Sequence, residues 1–211
     1  MAGCCSENDI HLQHMRSQQA RMLWAVLAIN TVMFLFEFTA GWLASSTALM
    51  GDSLDMLGDA MVYGLSLFVV AKSMRWKALS AGFKGVIMLA FGLLVLGQAA
   101  TKAVAGQTPE PTIMAIVGLI ALVANVACLM LLTRHRSDDV NMRSSWICSR
   151  NDLFANGGVL VAAALVAFTN SVWPDVAVGT IIAGLFLHSS VGVLRDARAS
   201  FSETATRLVR H

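Results

Sequence analysis

Apolar residues run along this chain in six long blocks, at about 22–44, 47–71, 79–100, 112–133, 145–168 and 172–194, with short polar gaps between them. Each block approaches the roughly 20 mostly apolar residues that an α-helix needs to cross a hydrocarbon core. The third is the least regular, because Lys84 interrupts its start. The pattern predicts an all-α polytopic membrane protein with six transmembrane helices in one compact bundle. A tail over residues 1–21 precedes the membrane domain at 22–194, and a short tail over 195–211 follows it. The gaps leave no room for a soluble domain between the helices.

Charge gives the bundle a direction. Fourteen of the 15 Lys and Arg residues fall in the two tails, in the second gap with Lys84, and in the fourth gap with Arg143 and Arg150. Gaps one, three and five together hold only Lys102. Basic residues concentrate on the cytoplasmic side of membrane proteins, so both termini are expected in the cytoplasm. Of the 211 residues, 56% are hydrophobic and 13% charged, against about 25% charged in a soluble domain. A net charge of +2 is too small to suggest a nucleic-acid partner. Cys4, Cys5, Cys128 and Cys148 show no disulfide or zinc-ribbon spacing. The first 21 residues are polar, which argues against a cleavable signal peptide.

Three carboxylates break the second block, in LMGDSLDMLGDAM at 49–61. At 100° per residue Asp52, Asp55 and Asp59 share an arc of about 60° on one helix face. A charged Asp near mid-bilayer costs about 2.5–3.5 kcal/mol on an insertion scale. One or two of them, Asp52 included, could sit at the water interface. Three on one face point instead to a cavity, an ion site or a proton relay.

The fifth block offers partners. In SSWICSRNDLFANGGVL, Cys148, Asp152 and Asn156 recur every four residues and share a face, while Arg150 points the other way and can snorkel to the headgroups. At about 1.5 Å per residue, Asp55 and Asp152 both fall in the middle third of the bilayer. If these helices are antiparallel neighbours, Asp55 is level with Asp152 and Asp59 with Cys148. Three carboxylates and a thiolate make a plausible tetrahedral site for a zinc-like divalent ion, whereas magnesium or calcium prefers six or more oxygens. A small buried hydrophobe is the commoner fate of a free cysteine.

These two segments resemble the signatures of the cation diffusion facilitator family. In the first, Ser46, Ala48, Leu49 and Asp52 lead into the pair Asp55 and Asp59; in the second, the pair Cys148 and Asp152 is followed by Gly158, Val159 and Leu160. Weaker matches are Asn30, Glu37 and Gly41, Asn125, and WPDVAVG at the start of the sixth block. The resemblance implies a transporter rather than an enzyme. It would export Zn2+, and Cd2+ with it, from the cytoplasm as substrate, with H+ as counter-ion and no permanently bound cofactor. It would act as a homodimer in membrane lipid, and a bacterial inner membrane is the expected location. The metal ligands would be Asp55, Asp59, Cys148 and Asp152. Asp52, Asn156, Glu37 and Asn30 are candidates for a surrounding shell or pathway, and His135, Asp138 and Asp139 for cytoplasmic metal capture.

Family members usually carry a soluble C-terminal domain, and this chain reads as a short member without it. A stripe from Leu194 to Leu208 is a weak coiled-coil pattern that could clasp a dimer or lie on the membrane. Cys4, Cys5, His11 and His14 could collect metal, although polar tails are mostly inert. Three alternatives stay open: a membrane metal sensor or scaffold that moves nothing, a transporter selective for Mn2+, Fe2+ or Co2+, and an intramembrane enzyme using the Asp pair.

Overall fold

The computed structural model describes residues 3–69, 74–134 and 140–209. Side chains are described from Arg21 onward, apart from most of 65–81, 135–151 and 196–211. Six α-helices account for nearly all of it: α1 (Gly3–Leu43), α2 (Thr47–Val69), α3 (Met74–Ala105), α4 (Pro111–Thr133), α5 (Val140–Thr169) and α6 (Trp173–Val209). No strand occurs among the described residues. The helices follow the six apolar blocks and overrun several of them. Between Cys4 and Ala40 there is no Gly or Pro to break α1, so its backbone helix reaches back through the polar N-terminal stretch. α6 likewise continues past its apolar part to Val209.

Five helices contain a stretch long and apolar enough to cross a membrane: Arg21–Leu43, Gly82–Ala105, Pro111–Thr133, Asp152–Thr169 and Trp173–Arg195. The protein is therefore an integral membrane protein, with large apolar side chains such as Leu43, Val104 and Phe168 facing outward where lipid would lie. α2 falls outside that group because Asp52, Asp55 and Asp59 all sit within it. Its place in the bundle explains how it tolerates them. α2 touches all five other helices, whereas α1 packs chiefly along α2, α3 along α6, and α4 along α5. A helix surrounded by protein can hold carboxylates that a lipid-facing helix could not.

The turns joining α1 to α2, α3 to α4 and α5 to α6 are short, and each contains one left-handed residue: Ser45 (φ 53°), Gly106 (φ 65°) and Asn170 (φ 48°). A left-handed residue just past a helix end redirects the chain at once, and Gly and Asn take that conformation most cheaply. The backbone N–H of Glu110 donates to the carbonyl of Ala44 (3.0 Å), which ties the first and second of these turns together.

Asp175, in the first turn of α6, holds the start of α2. Its fully buried carboxylate accepts hydrogen bonds from the Ser46 hydroxyl (2.6 Å) and from the backbone N–H groups of Thr47 (2.7 Å) and Ala48 (3.0 Å). The first N–H groups of a helix have no partner inside it, and here a neighbouring helix supplies one. The same two helices meet closely at Gly179, where an added Cβ would lie 2.5 Å from the carbonyl carbon and oxygen of Thr47. Backbone cannot yield as the tip of a side chain can. Gly179→Ala is therefore expected to destabilise the protein by about 1–3 kcal/mol, seen as a lower melting temperature in detergent, while Gly184→Ala, which meets nothing within 4 Å, leaves it unchanged.

Candidate metal centre

The acidic face of α2 divides into two environments. Asp55 and Asp59 open into a cavity of about 660 Å³ between α2, α3, α5 and α6, and Asp152 of α5 reaches the same space. Lys84 and Met88 of α3 and Phe186 of α6 form other parts of its wall. The Tyr63 hydroxyl, one turn beyond Asp59 on α2, donates to Asp59 Oδ2 (2.9 Å) and orients that carboxylate.

Asp52 lies beside this space, in a buried polar chain that crosses four helices. The Asn156 amide of α5 donates to both Asp52 oxygens (2.9 and 2.7 Å), and Asn125 of α4 donates to Asn156 Oδ1 (3.2 Å). Glu37 of α1 completes the chain. It is fully buried, neither of its oxygens accepts a hydrogen bond, and its neighbour is the Asp52 carboxylate. The Asp52–Asn156 contact also defines a register between α2 and α5. Three residues on from Asp52 is Asp55, and four back from Asn156 is Asp152. Antiparallel packing thus carries both carboxylates toward the same level, where both line the cavity.

The other residues singled out from the sequence fall elsewhere. Asn30 is buried, but its amide donates to Val26 O (2.9 Å) in its own helix and to Cys128 Sγ of α4 (3.7 Å). The Cys148 side chain lies outside the described residues, as do those of Cys4, Cys5, His11 and His14 and the whole segment with His135, Asp138 and Asp139. Among the described residues no three His, Cys, Asp or Glu side chains are grouped tightly enough to hold a metal ion. The three carboxylates face a common space without closing on one point. Tyr63 and Lys84 were not chosen from the sequence as site residues. A signal existed for each: Tyr63 stands four residues from Asp59, and Lys84 is a cation inside an apolar block.

Three carboxylates thus face one cavity inside a helical membrane bundle, and sequence comparison identifies the family. The cation efflux transmembrane domain matches residues 23–201, most of the chain. The chain belongs to the cation efflux family. Members of this family are transporters rather than enzymes. This cation efflux chain is 24% identical over 195 residues to the metal cation efflux system protein CzcD of Cupriavidus metallidurans, covering 83% of this chain and 62% of that protein. It is 23% identical over 195 residues to the zinc transporter ZitB of Yersinia pestis, covering 86% and 62%. It is also 27% identical over 190 residues to a cadmium, cobalt and zinc/H(+)-K(+) antiporter of Bacillus velezensis, covering 82% and 61%. The chain thus spans about three fifths of the length of these relatives.

Proposed function

We propose that this cation efflux chain carries zinc-like divalent cations, Zn2+ and Cd2+, out of the cytoplasm in exchange for protons. Asp55, Asp59, Cys148 and Asp152 bind the metal between α2 and α5. The observation that carries this reading is the convergence of Asp55, Asp59 and Asp152, from two helices, on one cavity inside a membrane bundle. A site made of carboxylates and a thiolate binds metal only in its deprotonated form, so metal and protons compete for the same atoms. Such a site, facing each side of the membrane in turn, exchanges one for the other. The names of the relatives, which include zinc and cadmium, support the same class of substrate. Asp52, held by Asn156, and Glu37 form the surrounding shell that sets the position of the α2 face. In this reading all six helices cross a bacterial inner membrane, with both ends of the chain in the cytoplasm, and the working unit is a homodimer.

Proteoliposomes loaded with a pH indicator and offered zinc, cadmium, manganese or iron test the proposal. Zinc- and cadmium-dependent flux with an opposing proton movement is the expected result. Binding without flux would favour a metal sensor, and flux of manganese or iron alone would reassign the substrate. Cys148 makes a sharper test. A thiolate favours softer ions, so Cys148→Asp should lower cadmium transport more than zinc transport, by about tenfold in their ratio. An unchanged cadmium-to-zinc ratio removes Cys148 from the ligand set.

A further inference from the structure

Lys84 shares the cavity with the three carboxylates. α3, packed along α6 and against α2, brings Lys84 to the wall that also carries Met88, one turn further on. The side chain is half-buried, and its charge acts on the Asp59 carboxylate. A lysine near the end of a membrane helix ordinarily extends its head group to the interface; this one lines the acidic space instead. A protonated lysine has three donors and no lone pair, so it cannot ligate a metal while it neutralises a carboxylate. It is a compact cation on a flexible four-carbon stem, able to enter or leave a site by rotation about its own bonds.

We propose that Lys84 is a tethered counter-cation, drawn to the Asp55, Asp59 and Asp152 carboxylates when the cavity holds no metal and displaced as a divalent cation enters. The inference rests on reading the cavity as the metal site and adds a residue that sets affinity and release without being a ligand. Buried carboxylates left without a counter-charge are costly in a low-dielectric interior. With Lys84 among them, the empty cavity keeps part of its charge balanced while the bundle changes shape. The ammonium also repels the bound dication, which limits affinity and speeds release.

Zinc alone is the probe, with full-length protein in detergent and in liposomes. Lys84→Met and Lys84→Gln should each bind zinc about tenfold more tightly, since a unit positive charge on the cavity wall is removed from a site of reduced dielectric. In transport, KM and the maximal rate should fall together, because the empty site reorients less readily and metal leaves more slowly. Lys84→Arg, which keeps the charge on a long stem, should restore values near wild type. In wild-type protein, zinc should raise the reactivity of Lys84 toward an amine-acylating reagent, read by mass spectrometry, and this measurement does not depend on the folding of any variant. Zinc affinity that is unchanged or weaker in a folded Lys84→Met or Lys84→Gln protein overturns the inference, as does reactivity that zinc leaves unaltered. If wild-type protein neither binds nor moves zinc, the metal-site reading itself fails and takes this inference with it. If wild type binds zinc and the Lys84 variants match it, only the inference fails.

Discussion

Asp152→Ala and Asp55→Ala should each lower zinc affinity by two to three orders of magnitude, about 3–4 kcal/mol, and abolish flux in liposomes. The two residues belong to different helices, and both line the cavity. Removing either leaves too few donors for a four-coordinate zinc-like ion. The folded state should survive, because each substitution removes a partly buried carboxylate that faces other carboxylates and accepts no described hydrogen bond that its loss would leave open. Calorimetry of zinc binding beside a thermal melt separates the two effects. Wild-type zinc affinity in one of the variants would exclude that residue from the site. A melting temperature that drops along with the affinity would show that the carboxylate holds the bundle together instead.

Asp175→Ala should produce the opposite profile, a folding defect in a chain whose cavity residues are untouched. Its carboxylate accepts one hydroxyl and two backbone N–H hydrogen bonds at the start of α2, all buried. Hydrogen bonds to a charged group contribute about 1.5–3 kcal/mol each, and a buried donor left without a partner costs its full desolvation. The negative charge also faces the positive end of the α2 dipole. Lys102 adds to the loss: it is buried, its ammonium makes no hydrogen bond, and the Asp175 charge acts on it. The expected destabilisation is about 3–5 kcal/mol, comparable to breaking a buried charged contact. Thermal melting in detergent measures it. Asp175→Asn keeps an acceptor for part of the network and should recover some of the loss. A melt of Asp175→Ala within a degree of wild type would mean that water replaces the carboxylate at the α2 start.

Much of this architecture is written in local pattern. Six apolar blocks become six helices, because length and the absence of proline beyond the first turn settle helix formation without reference to neighbours. The shared face of Asp52, Asp55 and Asp59, and the four-residue recurrence of Asp152 and Asn156, follow from helical periodicity alone. Equal depth was enough to suggest that α2 and α5 confront one another. Periodicity, however, gives a direction around one helix axis and does not say what stands opposite. Packing separates Asp52, bonded to Asn156 beside Glu37, from Asp55 and Asp59 in the cavity, although all three share a face. Packing likewise turns Asn30 toward Cys128. The approach of α3 and α6 carries Lys84 among the carboxylates and sets Asp175 over the start of α2, across 128 residues of chain from Thr47. Contacts between helices so distant in sequence depend on how whole helix faces fit together, and no residue spacing within a single block encodes that fit.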